Sequence, residues 1–183
     1  IALGYKGSII KDYFDVNQYF DWNINLIDTG ENTMTGGRLK RIKDYLDKET
    51  FFLTYGDGVS NINIESLLTF HKNSKKMITM SAVRPPARFG ELEFDGEEVI
   101  GFDEKPQMQK GWINGGFFAL QPEFIDYIEG DSIMLEREPL SIALKNKMLA
   151  AYKHNGLWQC MDTKREHDKL NEEWQSGNAF WKI

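Results

Sequence analysis

The sequence predicts an α/β protein: a mixed, mainly parallel sheet flanked by helices, with one antiparallel hairpin inserted. Three observations carry that prediction. Short β-rich runs alternate with stretches of helical periodicity, the pattern of a sheet covered by helices. The run Phe51-Phe52-Leu53-Thr54 begins wholly apolar, as a central strand buried on both faces does. Asp95-Gly96 stands between two β-rich runs, a strong hairpin signal.

Taken in order, Ile1-Ala2-Leu3 reads as the end of a strand and Gly4 to Gly7 as a turn. Ser8 to Phe14 reads as a helix with Ile9, Ile10, Tyr13 and Phe14 on its apolar side. Asp15 to Trp22 reads as loop, and Asn23 to Asp28 alternates like a strand. A polar loop, Thr29 to Gly37, leads into a helix from about Arg38 to Leu46, with Leu39, Ile42, Tyr45 and Leu46 at helical spacing. After the central strand, Asn63 is the expected N-cap of a helix from Ile64 to Lys72. Lys76 to Val83 leans to strand and is stopped by Arg84-Pro85-Pro86. Glu91 to Phe94 and Glu98 to Phe102 form the hairpin, and Trp112 to Leu120 a strand with glycines inside it. Pro122 opens a helix to Glu129, as proline is tolerated in a first turn. Pro139 to Lys147 follows as a helix, Leu149 to Lys153 as a strand and Asp162 to Trp174 as the last helix. No repeat or linker interrupts this, so residues 1–183 are expected to form a single domain.

Composition narrows the function classes. At 41% apolar and 27% charged the chain is globular rather than disordered. A formal charge of −6 argues against a general nucleic-acid binder, which needs a basic surface. Cys160 is the single cysteine, so no intrachain disulfide forms and a reducing cytoplasm fits. No apolar run approaches the ~18 residues of a membrane span, and no signal peptide is evident.

The chemistry-bearing residues cluster at element boundaries. Asp57 stands between Gly56 and Gly58 just past the central strand, where open α/β sheets place their ligands. It reads either as a polar turn or as an acid facing a phosphate or sugar. Asp162 precedes the last helix and reads either as its N-cap or, paired with Asp57, as a ligand of one Mg²⁺. Spacing alone does not bring residues 57 and 162 together. Lys105 in Glu104-Lys105-Pro106 is either an exposed turn lysine or a point charge for a phosphate monoester. Thr35-Gly36-Gly37-Arg38 puts two glycines and nearby cations at a helix start, where free amides favour an anion. Cations there oppose the helix dipole, which suggests that Arg38 serves a ligand; the alternative is an ordinary basic loop. Asn114-Gly115-Gly116 suits sugar hydroxyls or forms a β-bulge, and Gly90 and Glu138 are weaker candidates of the same kind. Cys160 reads as a packing residue, and the three histidines lack metal-ligand spacing.

These pieces, in this order, resemble the sugar-1-phosphate nucleotidyltransferases. The resemblance rests on Gly4-Tyr5-Lys6-Gly7, Asp28-Thr29-Gly30, Met34 to Arg41, Thr54 to Val59, Arg88-Phe89-Gly90, Glu104-Lys105-Pro106, Ile113 to Phe118, Glu138-Pro139-Leu140 and Trp158 to Thr163. Each motif is weak alone; the ordered set is specific and spans nearly the whole chain. It implies a Rossmann-like nucleotidyltransferase fold and transfer of CMP from CTP to α-D-glucose 1-phosphate, giving CDP-glucose and pyrophosphate for bacterial surface polysaccharides such as O-antigen. By the resemblance, Asp57 and Asp162 hold Mg²⁺ and Lys105 grips the sugar phosphate. Gly90, Glu104, Asn114, Gly115 and Glu138 orient the hexose. Thr35, Gly36, Gly37 and Arg38, with Gly56, meet the nucleotide. A cytoplasmic homo-oligomer that engages neither nucleic acid nor membrane is expected.

The sequence departs from the pattern twice. The family's N-terminal glycine-rich loop is expected before Ile1, and the connection from Phe14 to Trp22 is short. The competing readings are a nucleotidyltransferase for another nucleotide or sugar, an inactive regulatory subunit that keeps the fold, and a metal-dependent glycosyltransferase.

Overall fold

A computed structural model describes residues 1–16, 22–86, 90–103 and 111–182. Its packing divides the chain into two compact units, each assembled from three separated segments. The first comprises residues 1–51, 76–78 and 120–149; the second comprises 52–75, 79–119 and 150–183.

In the first unit β1 (Ala2–Leu3) pairs in parallel with β2 (Ile27–Asp28). Helix α1 (Gly7–Val16) follows β1, and α2 (Thr35–Arg41) follows β2 and runs into a 3₁₀ turn, Lys43–Tyr45. A second 3₁₀ segment, Pro122–Tyr127, and α4 (Glu138–Lys145) complete it; α3 (Ile64–Ser74) lies in the second unit. Its buried apolar side chains include Leu3, Leu39, Phe124, Ile125, Ile128 and Leu135.

The second unit carries most of a four-stranded sheet in the order β3 (Phe51–Thr54), β8 (Ile113–Leu120), β5 (Ile78–Val83), β9 (Leu149–Lys153). β5 and β9 run parallel, with Ile78 N–H on Met148 O at one end and His154 N–H on Ala82 O at the other. β8 runs against both neighbours: Gln121 N–H reaches Met77 O, and Tyr55 N–H reaches Gly116 O. The sheet is therefore mixed, as expected, but not mainly parallel: β8 runs against both its neighbours, and β5–β9 is the parallel pairing. Helix α3 (Ile64–Ser74) buries Leu67, which packs with Ile62 and Ala119. Its N-cap is Asn63, whose side chain accepts from Ser66 N–H, as the sequence indicates. The hairpin β6 (Glu91–Asp95) and β7 (Glu98–Asp103) turns through Gly96 and Glu97. Only Gly96 has positive φ (+60°), which fits a type II′ turn with glycine at its first central position. β4 (Gly58–Ser60) pairs antiparallel with β10 (Trp158–Cys160), and α5 (Lys164–Gln175) closes the unit.

Several expectations are corrected. β3 stands at one end of the sheet order, and Phe52 is 42% exposed; the strand buried along almost its whole length is β5. An apolar run identifies a strand but not its neighbours. Helix α1 forms, yet none of its residues is buried; Ile9 is 59% and Tyr13 54% exposed. Periodicity defines a stripe and leaves the partner unspecified. Strand β2 keeps only the last two residues of the alternating run 23–28. The helix expected from Arg38 to Leu46 begins at Thr35 and stops at Arg41, and the segment after Pro122 winds as 3₁₀. The short connection Phe14 to Trp22 falls largely on residues outside those described. No helix among the described residues is long and apolar enough to cross a membrane.

His71 is fully buried on α3, with Nδ1 2.9 Å from Thr79 Oγ1. Burial pulls its pKa below the ordinary 6.5, and burial also lowers that of His154, against a hydrogen bond to Leu157 that raises it. Between the native value and 6.5 the unfolded chain therefore binds more protons. Stability is complete above that window and declines as pH falls through it. Urea midpoints are expected to drop between about pH 7.5 and about pH 5.5, and to drop less in His71→Gln. A midpoint that rises on acidification contradicts this.

Candidate functional site

The site in the second unit is built by the β4–β10 ladder. Gly58 pairs with Cys160, Val59 with Gln159 and Ser60 with Trp158. One more rung extends it, since Met161 N–H donates to Asp57 O at 2.8 Å. Asp57, in the turn between β3 and β4, is thereby set beside the end of β10, which runs on into Asp162. Both aspartates line one cavity of about 410 Å³. Tyr55, Trp158 and Cys160 line it too, with Pro85 and Pro86 after β5, and Ile113 and Asn114 on β8.

Asp162 does not cap the helix. Thr163 does, in a capping box: its side chain accepts from Glu166 N–H, and Glu166 Oε2 accepts from Thr163 N–H at 3.0 Å. Glu166 Oε2 also accepts from Asp162 N–H at 2.9 Å. The Asp162 carboxylate is left at the cavity, where Oδ2 accepts from Cys160 Sγ at 3.3 Å. Cys160 thus belongs to the cavity wall and contacts a site carboxylate, which corrects its reading as a packing residue.

The walls are fixed by hydrogen bonds. The Trp158 indole N–H donates to Gly115 O at 2.8 Å. Asn114 Nδ2 donates to Tyr55 OH at 3.1 Å, and Asn114 Oδ1 accepts from Gly116 N–H at 2.9 Å. The carboxamide is oriented, with one amide hydrogen and one lone pair remaining. Gly115 and Gly116 are buried, and a Cβ at Gly116 (φ +76°) would stand 2.8 Å from Tyr55 Cδ2. The glycines let β8 lie close to its neighbours rather than baring backbone to a sugar, and the Gly115 carbonyl already serves Trp158.

The donor chemistry suits a hard cation. Two aspartates on one cavity could offer carboxylate oxygens, the hard donors that Mg²⁺ takes in small number beside water and phosphate oxygens. Cys160, Asp162 and Glu166 place ligand atoms within 4.8 Å of one another. In that trio the sulfur is soft and donates to Asp162, and Glu166 Oε2 is occupied by the helix cap, so the fit rests on Asp57 and Asp162.

The segment Thr35 to Arg38 lies in the first unit, and its donors are engaged there. Thr35 Oγ1 donates to Glu136 Oε2 and accepts from Leu135 N–H. Gly36 and Gly37 are buried and both donate to Ile133 O, so the expectation of free amides is corrected. Arg38 donates to Leu3 O, Thr29 Oγ1, Gly30 O and Glu31 O. Lys40 reaches Ile128 O and Glu129 O, and Arg41 pairs with Asp131. That hydrogen bond holds Asp131 below the usual carboxylate range. Because α2 begins at Thr35, these cations fall in its last turn, where they favour the helix dipole instead of opposing it.

Glu138 is exposed at the first position of α4, also in the first unit. Gly56 is exposed in the turn before Asp57, with open space where a Cβ would stand. Gly90 immediately precedes β6. Glu104 and Lys105, like Arg88 and Phe89, lie outside the described residues. Sequence reasoning missed Tyr55, Trp158 and Cys160 as cavity walls. One available signal was Thr163-x-x-Glu166, a capping-box pattern that starts the helix after Asp162 and so takes the capping role away from that carboxylate.

A family model described as nucleotidyl transferase matches residues 1–175. The chain is 42% identical to the glucose-1-phosphate cytidylyltransferase of Salmonella typhi, over all of this chain and 79% of that protein. That alignment runs to 204 residues against 183 here, so the relative carries internal residues that this chain lacks. A probable glucose-1-phosphate cytidylyltransferase of Bacillus subtilis is 36% identical, over all of this chain and 80% of its own length. The crystal structure of HddC from Yersinia pseudotuberculosis superposes with a TM-score of 0.69 at 21% identity, covering 94% of this chain and 76% of that one, which speaks for the fold. Matched along nearly its full length, the chain belongs to the nucleotidyl transferase family.

Proposed function

We propose that this chain transfers CMP from CTP to α-D-glucose 1-phosphate, releasing pyrophosphate and forming CDP-glucose, with both units read as parts of one nucleotidyltransferase domain. The observation that carries the reading is the pair Asp57 and Asp162 on one cavity, in a chain 42% identical to a glucose-1-phosphate cytidylyltransferase. A phosphate oxygen of the sugar ester is already anionic and needs no strong base. It attacks the α-phosphorus in line, the new P–O bond forms as the bond to pyrophosphate breaks, and the electron pair leaves with pyrophosphate.

The protein's contribution is to hold two polyanions in that geometry. Asp57 and Asp162 would hold Mg²⁺, which when bound neutralises phosphate charge. Lys105 grips the sugar phosphate. Asn114, whose carboxamide is fixed by Tyr55 and Gly116, offers its remaining amide hydrogen to a hexose hydroxyl. Glu104, Gly90 and Glu138 complete the hexose set, and Gly56, with open space above it, is assigned to the nucleotide; Gly115 and Thr35 to Arg38, whose polar groups are engaged within the fold, serve its packing instead. The enzyme acts as a cytoplasmic homo-oligomer in nucleotide-sugar synthesis. The test is pyrophosphate release by full-length protein given glucose 1-phosphate and each of the four NTPs. Rapid release with CTP alone is expected; equal rates with all four, or none, overturns the assignment.

A further inference from the structure

Arg84 follows β5 directly and is succeeded by Pro85 and Pro86, which line the cavity holding Asp57 and Asp162. Its guanidinium lies over the Trp112 ring, with Cζ 4.6 Å from the centroid. Trp112 leads straight into Ile113 and Asn114, two further lining residues. Lys153, the last residue of β9, sets Nζ 5.4 Å from the same centroid. Each cation is attracted to the ring, yet two cations on one ring repel each other. Neither forms an ion pair among the described residues. The Arg84 Nε–H is buried and has no acceptor among the described residues.

A buried donor without an acceptor and a like-charge pair are both unfavourable, and native structures keep few of the former. An anion held by the guanidinium's terminal nitrogens relieves the like-charge pair and offsets the cost of the buried group. Among the described residues the cavity lining includes two carboxylates and no cation, so a further cation in addition to Lys105 would ease the approach of a phosphate ester. The planar guanidinium can present two N–H groups to two phosphate oxygens, and stacking on Trp112 limits its rotation beforehand.

We infer that Arg84, seated on Trp112 beside Lys153, binds the phosphate group of the sugar 1-phosphate at the edge of this cavity. The inference rests on the phosphoryl-transfer reading above, and the experiment separates the two. In full-length enzyme, Arg84→Gln is expected to raise KM for glucose 1-phosphate about tenfold or more. KM for CTP and kcat are expected to stay within about twofold, with Arg84→Lys intermediate. The melting temperature of Arg84→Gln is expected to equal or exceed that of the parent, since an unmet donor and a repulsive pair are removed. A structural role predicts a lower melting temperature and equal losses toward both substrates; either that result or an unchanged KM overturns the inference. Calorimetric titration with glucose 1-phosphate, without CTP, reads the contact alone. Binding by the parent that is lost in Arg84→Gln supports it even where no CDP-glucose forms, an outcome that overturns only the proposed function. Equal binding by both proteins, or binding by neither, overturns the inference.

Discussion

Asp57→Asn and Asp162→Asn are each expected to lower the rate of CDP-glucose formation about 10²–10³-fold or more. Both proteins should melt close to the parent. The reason lies in how each residue is held. Asp57 contributes to the fold through its carbonyl, which accepts from Met161 N–H, and asparagine keeps that group. Asp162 contributes its N–H, which donates to Glu166, and its carboxylate accepts from the weakly donating Cys160 thiol, a bond that an asparagine oxygen can also accept. Each substitution therefore removes negative charge from the cavity and leaves the ladder and helix cap in place. Initial rates at saturating substrate, paired with thermal melts, check the expectation. Near-parental turnover in either folded variant removes that aspartate from the catalytic set.

Gly37→Ala is expected to cost about 3 kcal/mol of stability, the upper part of the usual overpacking range. A Cβ at Gly37 would stand 2.5 Å from Asp131 O and 2.6 Å from Asp131 Cα. Those are backbone atoms, which cannot rotate away. The same segment is anchored by Met34 N–H on Asp131 O and by both glycine amides on Ile133 O, so relief requires moving several bonded groups together. For a chain of this length the loss corresponds to roughly 6–12 °C in melting temperature. Urea denaturation of the two proteins measures it. An unchanged midpoint indicates that the 131–135 segment yields freely and that the glycines are kept for something other than close packing.

The fold class was legible because strand–helix alternation is a local pattern. The hairpin was legible because Gly96 carries its own turn chemistry, although the turn runs through Gly96-Glu97, one residue on from the Asp95-Gly96 pair that signalled it. Strand neighbours were not: the apolar Phe51 to Thr54 run gives no sign that β8 rather than β5 lies beside it. The site was half legible. Asp57 between glycines and Asp162 before a helix could be singled out from neighbours in sequence, but their meeting depends on pairing between β4 and β10, three residues each, too short to announce themselves. The motif Thr35 to Arg38 misled in a different way. Glycines and cations near a helix start look alike whether they await an anion or a neighbouring loop, and the position of the first helical residue decides which end of the dipole the cations occupy.

The chain leaves β4 at Ser60 and does not return to pair with it until Trp158. The spacing of the two acids is thus fixed by adjacent rungs and is insensitive to what happens in the long excursion between them. Loops inside that excursion can lengthen, shorten or be exchanged while the acids keep their separation, which leaves the rest of the cavity wall free to be remodelled for a different sugar. A one-residue insertion within β4 or β10 has the opposite consequence, shifting one acid against the other by a full rung.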